Sequence, residues 1–332
     1  MTPLEIEDSF YRILAGAGKA TLLCAAVDSG LVDLLGGAAL DETEIIARLA
    51  LSPLRGHKWL VLLETTELLE LVVAEPRRYT LGPLLAALAA PATRYFYREF
   101  LRFWRTAAAH EMVSTVRGGP VPYPVRYPPQ SDADVALLHE WMRVGVDLTL
   151  ATLLSTLDLS AVHRLLDVGG GDASMACGLT ARLPELTATV FNLPQPAALG
   201  RARVAELGAT RVNIVEGDFF KDELPGNFDL VLFSRVLADW PPDVCRMLAA
   251  KAFNALVPGG RVVVCEPFRD HNPDLAIAWE HGYLPYDDFG AYVYKSVPAY
   301  QDLLAQAGFG GFEAHGRISS IHGVLVGSKP TT

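Results

Sequence analysis

Ten residues, LLDVGGGDAS (Leu165 to Ser174), carry the densest chemistry in the chain. Asp167 falls at the end of an apolar run, and Gly169, Gly170 and Gly171 follow before a helical pattern begins. Glycines in such a turn let the backbone approach a ligand closely and aim amide donors at it. A dinucleotide-binding G-x-G-x-x-G would need glycine where Ser174 stands, so that version fits poorly. About twenty residues on, Asn192 closes the next apolar run in VFNLP, the place for a side chain that hydrogen-bonds a ribose. Asp218 and Phe219, in VEGDFF, offer an acceptor for an adenine amino group beside a ring that packs on the base.

These residues need a scaffold that brings them to one edge. From about residue 161 the pattern alternates: RLLDVG, TATVFNL, VNIVEGDFF, DLVLFSRVL and RVVVCEPF read as strands, and MACGLTARL, PAALGRARVAELG and VCRMLAAKAFNAL as helices. Apolar runs this continuous belong to parallel strands covered on both faces, the mark of a doubly wound α/β sheet with its ligand at the carboxyl strand ends. Residues 1–95 read as mostly helical. Lys19 to Leu35 forms one helix ending at Gly36-Gly37, and Asp41 caps a second, with Glu44 completing a capping box. A third runs from Ser52-Pro53 through Glu70, and LVVAEPRRYTLG is a hairpin. Helix, helix, helix, hairpin is a winged-helix order. Residues 96–160 bridge the two parts, with an amphipathic helix (REFLRFWRTAAAHEMVSTVRG), a Pro-rich loop over 118–130 and a long helix from Asp132 to Leu157.

Length and charge narrow the partners. At roughly 150 residues per domain, 332 residues suit about two domains. Lys plus Arg is 28 against 38 for Asp plus Glu, a net charge of −10, which argues against nucleic acid and anionic membrane as partners. Residues 1–100 hold nine Lys or Arg and thirteen Asp or Glu, and Glu64, Glu67 and Glu70 fall where a recognition helix would be basic. The segment MTPLEIEDSFYR has acidic residues where a signal peptide needs a positive start, which points to a soluble cytoplasmic protein. Cys24, Cys177, Cys245 and Cys265 are far apart and read as small buried hydrophobes.

The ordered set LLDVGGGDAS, VFNLP, GDFF, SRVLADW and VPGGRVVVCEP resembles the class I S-adenosylmethionine-dependent methyltransferases of the caffeate, acetylserotonin and hydroxyneurosporene type, over nearly the whole chain. VPYP and FNLP are also similar to the bacteriochlorophyllide C-methyltransferase branch. The resemblance implies a Rossmann-like S-adenosylmethionine domain over 161–332 and a winged-helix-like dimerisation domain over 1–95, hence a homodimer acting on a small molecule. By the same resemblance Asp167, Gly169, Gly171, Asn192, Asp218, Phe219 and Ser234 contact the cofactor. Trp141, Met142, Asp239 and Trp240 are the corresponding candidates for the acceptor side.

The departures from the family pattern bear on the chemistry. Family O-methyltransferases carry a His in H-D-W that deprotonates the acceptor hydroxyl, and here Leu237-Ala238-Asp239-Trp240 puts Ala238 there. The carboxylate that assists that His falls at Glu266 and is present, whereas the second falls near Tyr294. A hydroxyl needs help losing its proton, a contribution of roughly 10²- to 10⁴-fold. A thioether sulfur, an enol-like carbon or an ionised acid needs less. Glu266, His281 and Tyr294 are the remaining catalytic candidates, the last two in WEHGYLPYDDFGAYVYK, which lines the acceptor pocket in the family. Family frequency favours oxygen as the methylated atom, with S- or C-methylation and a cofactor-binding, non-methylating relative as alternatives. An acidic winged-helix regulator is disfavoured by the glutamates. No H-x-x-x-H or H-E-x-x-H occurs, so no metal is expected.

Overall fold

The computed structural model describes residues 1–90, 98, 100–105, 112–120, 131, 143, 145–284, 293–318 and 321–331. About half of the expected bridging region lies outside them, as do Trp141, Met142 and the Pro-rich loop beyond residue 120. Within it, residues 100–105, Met112–Val116 and Val146–Thr156 are helical. The chain divides into two compact units, Met1–Arg102 and Phe103–Thr332.

In the first unit the expected helix Lys19 to Leu35 is two helices, Pro3–Asp28 and Leu31–Leu35. The break is Gly30, whose φ of 80° is left-handed and cheap only for glycine. The long helix begins sixteen residues earlier than expected, where Thr2 and Glu5 form a reciprocal capping box. At Asp41 the expected box does not form: its side chain makes no capping bond, and Glu44 pairs with Arg48 instead. Helix Pro53–Thr65 also stops short of Glu70. Glu67 turns the chain at φ 59°, and Glu70 belongs to strand β2 (Leu69–Ala74), so only Glu64 of the three glutamates is helical. Strand β3 (Arg77–Leu81) pairs antiparallel with β2 and with the short β1 (Leu40–Asp41). Leu31, Ile45, Leu60, Leu63, Tyr79 and Leu85 form the buried centre of this unit. Each such side chain contributes about 1.5–3 kcal/mol.

By length and composition the helix Pro3–Asp28 is apolar enough to cross a membrane, a feature the sequence reading did not register. Leu4, Ile6, Phe10, Ile13 and Leu14 are all at least half exposed on it.

The second unit is built on a seven-stranded sheet in the order β6-β5-β4-β7-β8-β10-β9. Its parallel strands are β4 (Arg164–Val168), β5 (Thr187–Asn192), β6 (Val212–Glu216), β7 (Phe228–Ser234) and β8 (Leu256–Glu266). β9 (Gly310–His315) and β10 (Gly323–Ser328) close one edge, with β10 antiparallel to both of its neighbours. This is the expected doubly wound sheet. Alternate side chains feed two cores: Val262 and Val264 enter one, Val263 and Cys265 the other. All four cysteines are buried thiols. The chain runs outward from β4 to β6 and then returns to β7 beside β4. That reversal opens a crevice at the carboxyl ends of β4 and β7, where doubly wound sheets take their ligands.

Candidate functional site

Asp167 lies one residue before the end of β4, and the glycine loop folds directly over it. Gly169 and Gly171 adopt φ of 73° and 57°. A Cβ at Gly170 would stand 2.4 Å from Oδ2 of Asp167, so only glycine fits there. Neither oxygen of that buried carboxyl has a hydrogen-bond partner among the described residues. Burial pushes its pKa up to about 7, against the opposing pull of the Arg235 charge. An acidic side chain withdrawn from water and left unbonded suits a ligand that brings a cation or a donor.

The neighbouring strand ends supply the rest of this edge. Asn192 ends β5, its Oδ1 accepting from the Leu193 amide at 2.9 Å and its Nδ2 reaching the Gly171 carbonyl at 3.4 Å. Strand β6 ends at Glu216, short of the expected VNIVEGDFF strand, because Asp218 starts a turn: its Oδ1 accepts the Phe220 amide. Lys221 bonds the other oxygen at 2.8 Å and, with that amide, holds the Asp218 carboxyl below its ordinary pKa, an anionic acceptor. Phe219 and Phe220 both stand edge-on to Trp240, at 5.7 and 5.0 Å between ring centres. Trp240, expected on the acceptor side, therefore packs with the ring expected to hold the cofactor's base. Ser234 closes β7, in register with Cys265 of β8. The fold thus brings Asp167, Gly169, Gly171, Asn192, Asp218, Phe219 and Ser234 to one edge of the sheet.

Around Ala238 the geometry is tight. Ala238 is buried within the short turn Leu237–Asp239, whose last residue, Asp239, is half-buried. Oε1 of Glu266 accepts the amides of Val236, Leu237 and Ala238 at 2.8, 3.0 and 3.4 Å. Burial, and next the charge of Asp239, push the Glu266 pKa up to about 8. Burial thus favours the protonated form of a side chain that holds a turn. The phenol of Tyr294 is buried edge-on to Trp279 at 5.9 Å, and burial raises its pKa well above the ordinary value. His281 lies on helix Pro273–Tyr283, 5.5 Å from the Trp104 ring, with no hydrogen-bond partner for Nδ1 among the described residues. Burial lowers its pKa, so the imidazole is neutral at neutral pH.

The sequence reading missed two cations. Arg235 follows Ser234 with φ 58°, and its charge acts on Asp167. Lys295 donates to the Leu237 carbonyl at 2.9 Å. Arg235 stands inside the SRVLADW motif and Lys295 directly after Tyr294, which was the available signal. His322 is buried against Thr149 at 3.1 Å, with its pKa lowered to about 3 by burial. Among the described residues no cluster of His, Cys, Asp and Glu could hold a metal ion.

Residues 122–309 match the O-methyltransferase domain family. The L-tyrosine C(3)-methyltransferase of Streptomyces lavendulae is 29% identical over 98% of this chain and 94% of its own length. The 3-hydroxy-5-methyl-1-naphthoate 3-O-methyltransferase of Streptomyces sahachiroi is 30% identical over 76% of this chain and 75% of its own. The apo crystal structure of SibL, an S-adenosylmethionine-dependent methyltransferase, superposes with a TM-score of 0.80 at 27% identity, covering 97% of this chain and 99% of that one.

Proposed function

The chain belongs to the O-methyltransferase domain family and is an S-adenosylmethionine-dependent methyltransferase of small molecules, and we propose that its acceptor is an electron-rich hydroxylated ring methylated at carbon. The observation that carries this reading is Ala238. A buried methyl group stands where a base would be needed, and Oε1 of the carboxyl beside it is occupied by backbone amides. Transfer to a hydroxyl oxygen gains most from a base in the same step. At carbon the new bond forms first, and the ring proton leaves afterwards from an acidic species that a weak base can serve. The full-length tyrosine C(3)-methyltransferase relative supports the same choice.

The cofactor supplies an electrophilic methyl group on a sulfonium. Asp167 suits its ammonium, because a buried unbonded carboxyl gains a cationic partner. Gly169 and Gly171 allow close backbone approach, Asn192 and Asp218 offer hydrogen bonds to the nucleoside, and Phe219, joined by Trp240, walls the base. Ser234 completes the edge. On the other side Tyr294 and Asp239 border the acceptor, and Trp141 and Met142 belong to the same proposal by resemblance. Much of the catalysis is positioning and exclusion of water.

A second reading, transfer to oxygen with His281 as base, is favoured by its neutral imidazole, whose Nδ1 has no hydrogen-bond partner among the described residues, and by the naphthoate 3-O-methyltransferase relative. Transfer from S-adenosylmethionine labelled with ¹³C in the methyl group to a panel of phenols separates the two. A product carrying a ring C–CH₃ resonance supports the first, and an O–CH₃ resonance overturns it.

The first unit, Met1–Arg102 where 1–95 was expected, serves as a winged-helix-like dimerisation domain in this reading. The apolar side chains exposed on Pro3–Asp28 meet those of a second copy rather than a membrane, and the enzyme works as a cytoplasmic homodimer. The acidic balance of the chain speaks against nucleic acid as a partner.

A further inference from the structure

We infer that Arg203 is a positioning residue for the cofactor, holding the glycine loop in its binding shape through Asp172. This rests on the reading above that the loop receives S-adenosylmethionine. One stretch of chain, from Asn192 into helix Pro194–Leu207, meets three successive loop residues. Nδ2 of Asn192 donates to the Gly171 carbonyl at 3.4 Å. Nε of Arg203 stands 3.6 Å from Oδ2 of Asp172, with each side chain only 17% exposed. Gly200 is buried one turn earlier, on the same face of the helix as Arg203. A Cβ there would lie 3.6 Å from the Cβ of Ala173 and 3.2 Å from Cδ1 of Ile214, so the helix fits closely over the end of the loop.

The loop needs holding at this point. Ala173 is fully buried and adopts φ 64°, a left-handed conformation that is costly for any residue with a Cβ. Such a conformation persists only where its surroundings enforce it. Asp172 spans the strained residue: Oδ1 accepts the Ser174 amide at 3.1 Å, beyond Ala173, while Oδ2 faces Arg203. Arg203 thereby ties the loop to a helix whose Ala197 and Gly200 are themselves buried. Without that charge the empty loop relaxes, and cofactor binding has to supply the ordering that the helix now supplies in advance. The loss therefore falls on cofactor affinity rather than on the fold.

The test is calorimetric titration with S-adenosylhomocysteine, which needs no acceptor. Arg203→Met should bind about threefold to tenfold more weakly at an unchanged Tm. Arg203→Lys should stay within about twofold of the native protein, because the contact is a single nitrogen–oxygen approach and not a two-pronged one. Asp172→Asn keeps a carbonyl for the Ser174 amide and should lose as much as Arg203→Met. Both substitutions together should cost no more than about twofold beyond either alone. Glu206→Gln removes the exposed partner that Arg203 meets at 2.8 Å on its own helix, and should bind like the native protein. Native affinity in Arg203→Met, no rescue by lysine, losses that multiply in the double variant, or weakening by Glu206→Gln overturns the inference. Asp167→Asn separates it from the reading beneath. If that variant also binds as tightly as the native protein, the loop is not the cofactor site and both fall. If it weakens binding while Arg203→Met does not, only the inference falls.

Discussion

Oε1 of Glu266 and the amide of Ala238 are joined at 3.4 Å, the third and longest of the bonds that this oxygen accepts from successive amides. One oxygen of the side chain that would assist a base is committed to the backbone around the very residue that replaces the base. Glu266 is thereby a positioning residue, and its chemistry can be separated from its hydrogen bonding. Glu266→Gln keeps an accepting carbonyl and should retain kcat/KM within about threefold, whereas loss of a general base would cost 10²-fold or more. Glu266→Ala should lose about 2–4 kcal/mol of stability, read by denaturant unfolding, because buried amides are left without an acceptor.

Restoring the family's base should not help a carbon acceptor. With Ala238→His the rate should stay level or fall, since a buried site sized for a methyl group must take an imidazole. The pH–rate profile of the native enzyme should be nearly flat from about pH 7 to 9. A steep rise across that range, together with rescue by Ala238→His, would mark a hydroxyl acceptor.

Asp167 should make cofactor affinity depend on pH. Its folded pKa of about 7 lies above the ordinary 3.8, so below about pH 7 the carboxyl carries a proton that a cationic ligand must displace. Binding of S-adenosylmethionine should therefore tighten as pH rises, by roughly tenfold between pH 6 and 8, and level off above. Asp167→Asn should bind more weakly and lose that dependence, measured by titration at several pH values.

Asp218 is proposed to meet the nucleoside with a carboxylate already ionised by its Lys221 and Phe220 partners. Asp218→Ala should weaken cofactor binding by about 1–3 kcal/mol with little change in Tm. An unchanged calorimetric affinity would remove the residue from the site.

The exposed apolar side of Pro3–Asp28 predicts association. Light scattering at micromolar concentration should give twice the chain mass, and Phe10→Asp with Ile13→Asp should give a folded monomer. A monomeric native protein, or sedimentation with membranes instead, would contradict the dimer.

Much of this protein was legible before folding was considered. The strand and helix alternation after residue 161 is written in continuous apolar runs, because a strand buried on both faces has no polar side to hide the signal. The glycine loop, Asn192 and the Asp218-Phe219 pair lie at strand ends, where sequence spacing and spatial placement coincide. Ala238 was visible as a missing base for the same reason. What the sequence could not decide was the fate of groups whose partners lie far along the chain. Gly30 breaks a helix that periodicity would continue, and Glu67 ends one that composition would extend. Trp240 joins Phe219 and Phe220 because the segments that follow β6 and β7 meet although two strands separate them, whereas the motif reads as acceptor-side. The protonation of Asp167 and Glu266 is likewise a property of burial, which depends on every strand and helix around them and on no local pattern. Glu280 shows the same division: a charged helical residue in the sequence, a carboxylate with one oxygen paired to Arg269 once the chain is folded. Local spacing determines which residues share an edge, and only tertiary packing determines what surrounds each charge, because desolvation and hydrogen bonding act through space.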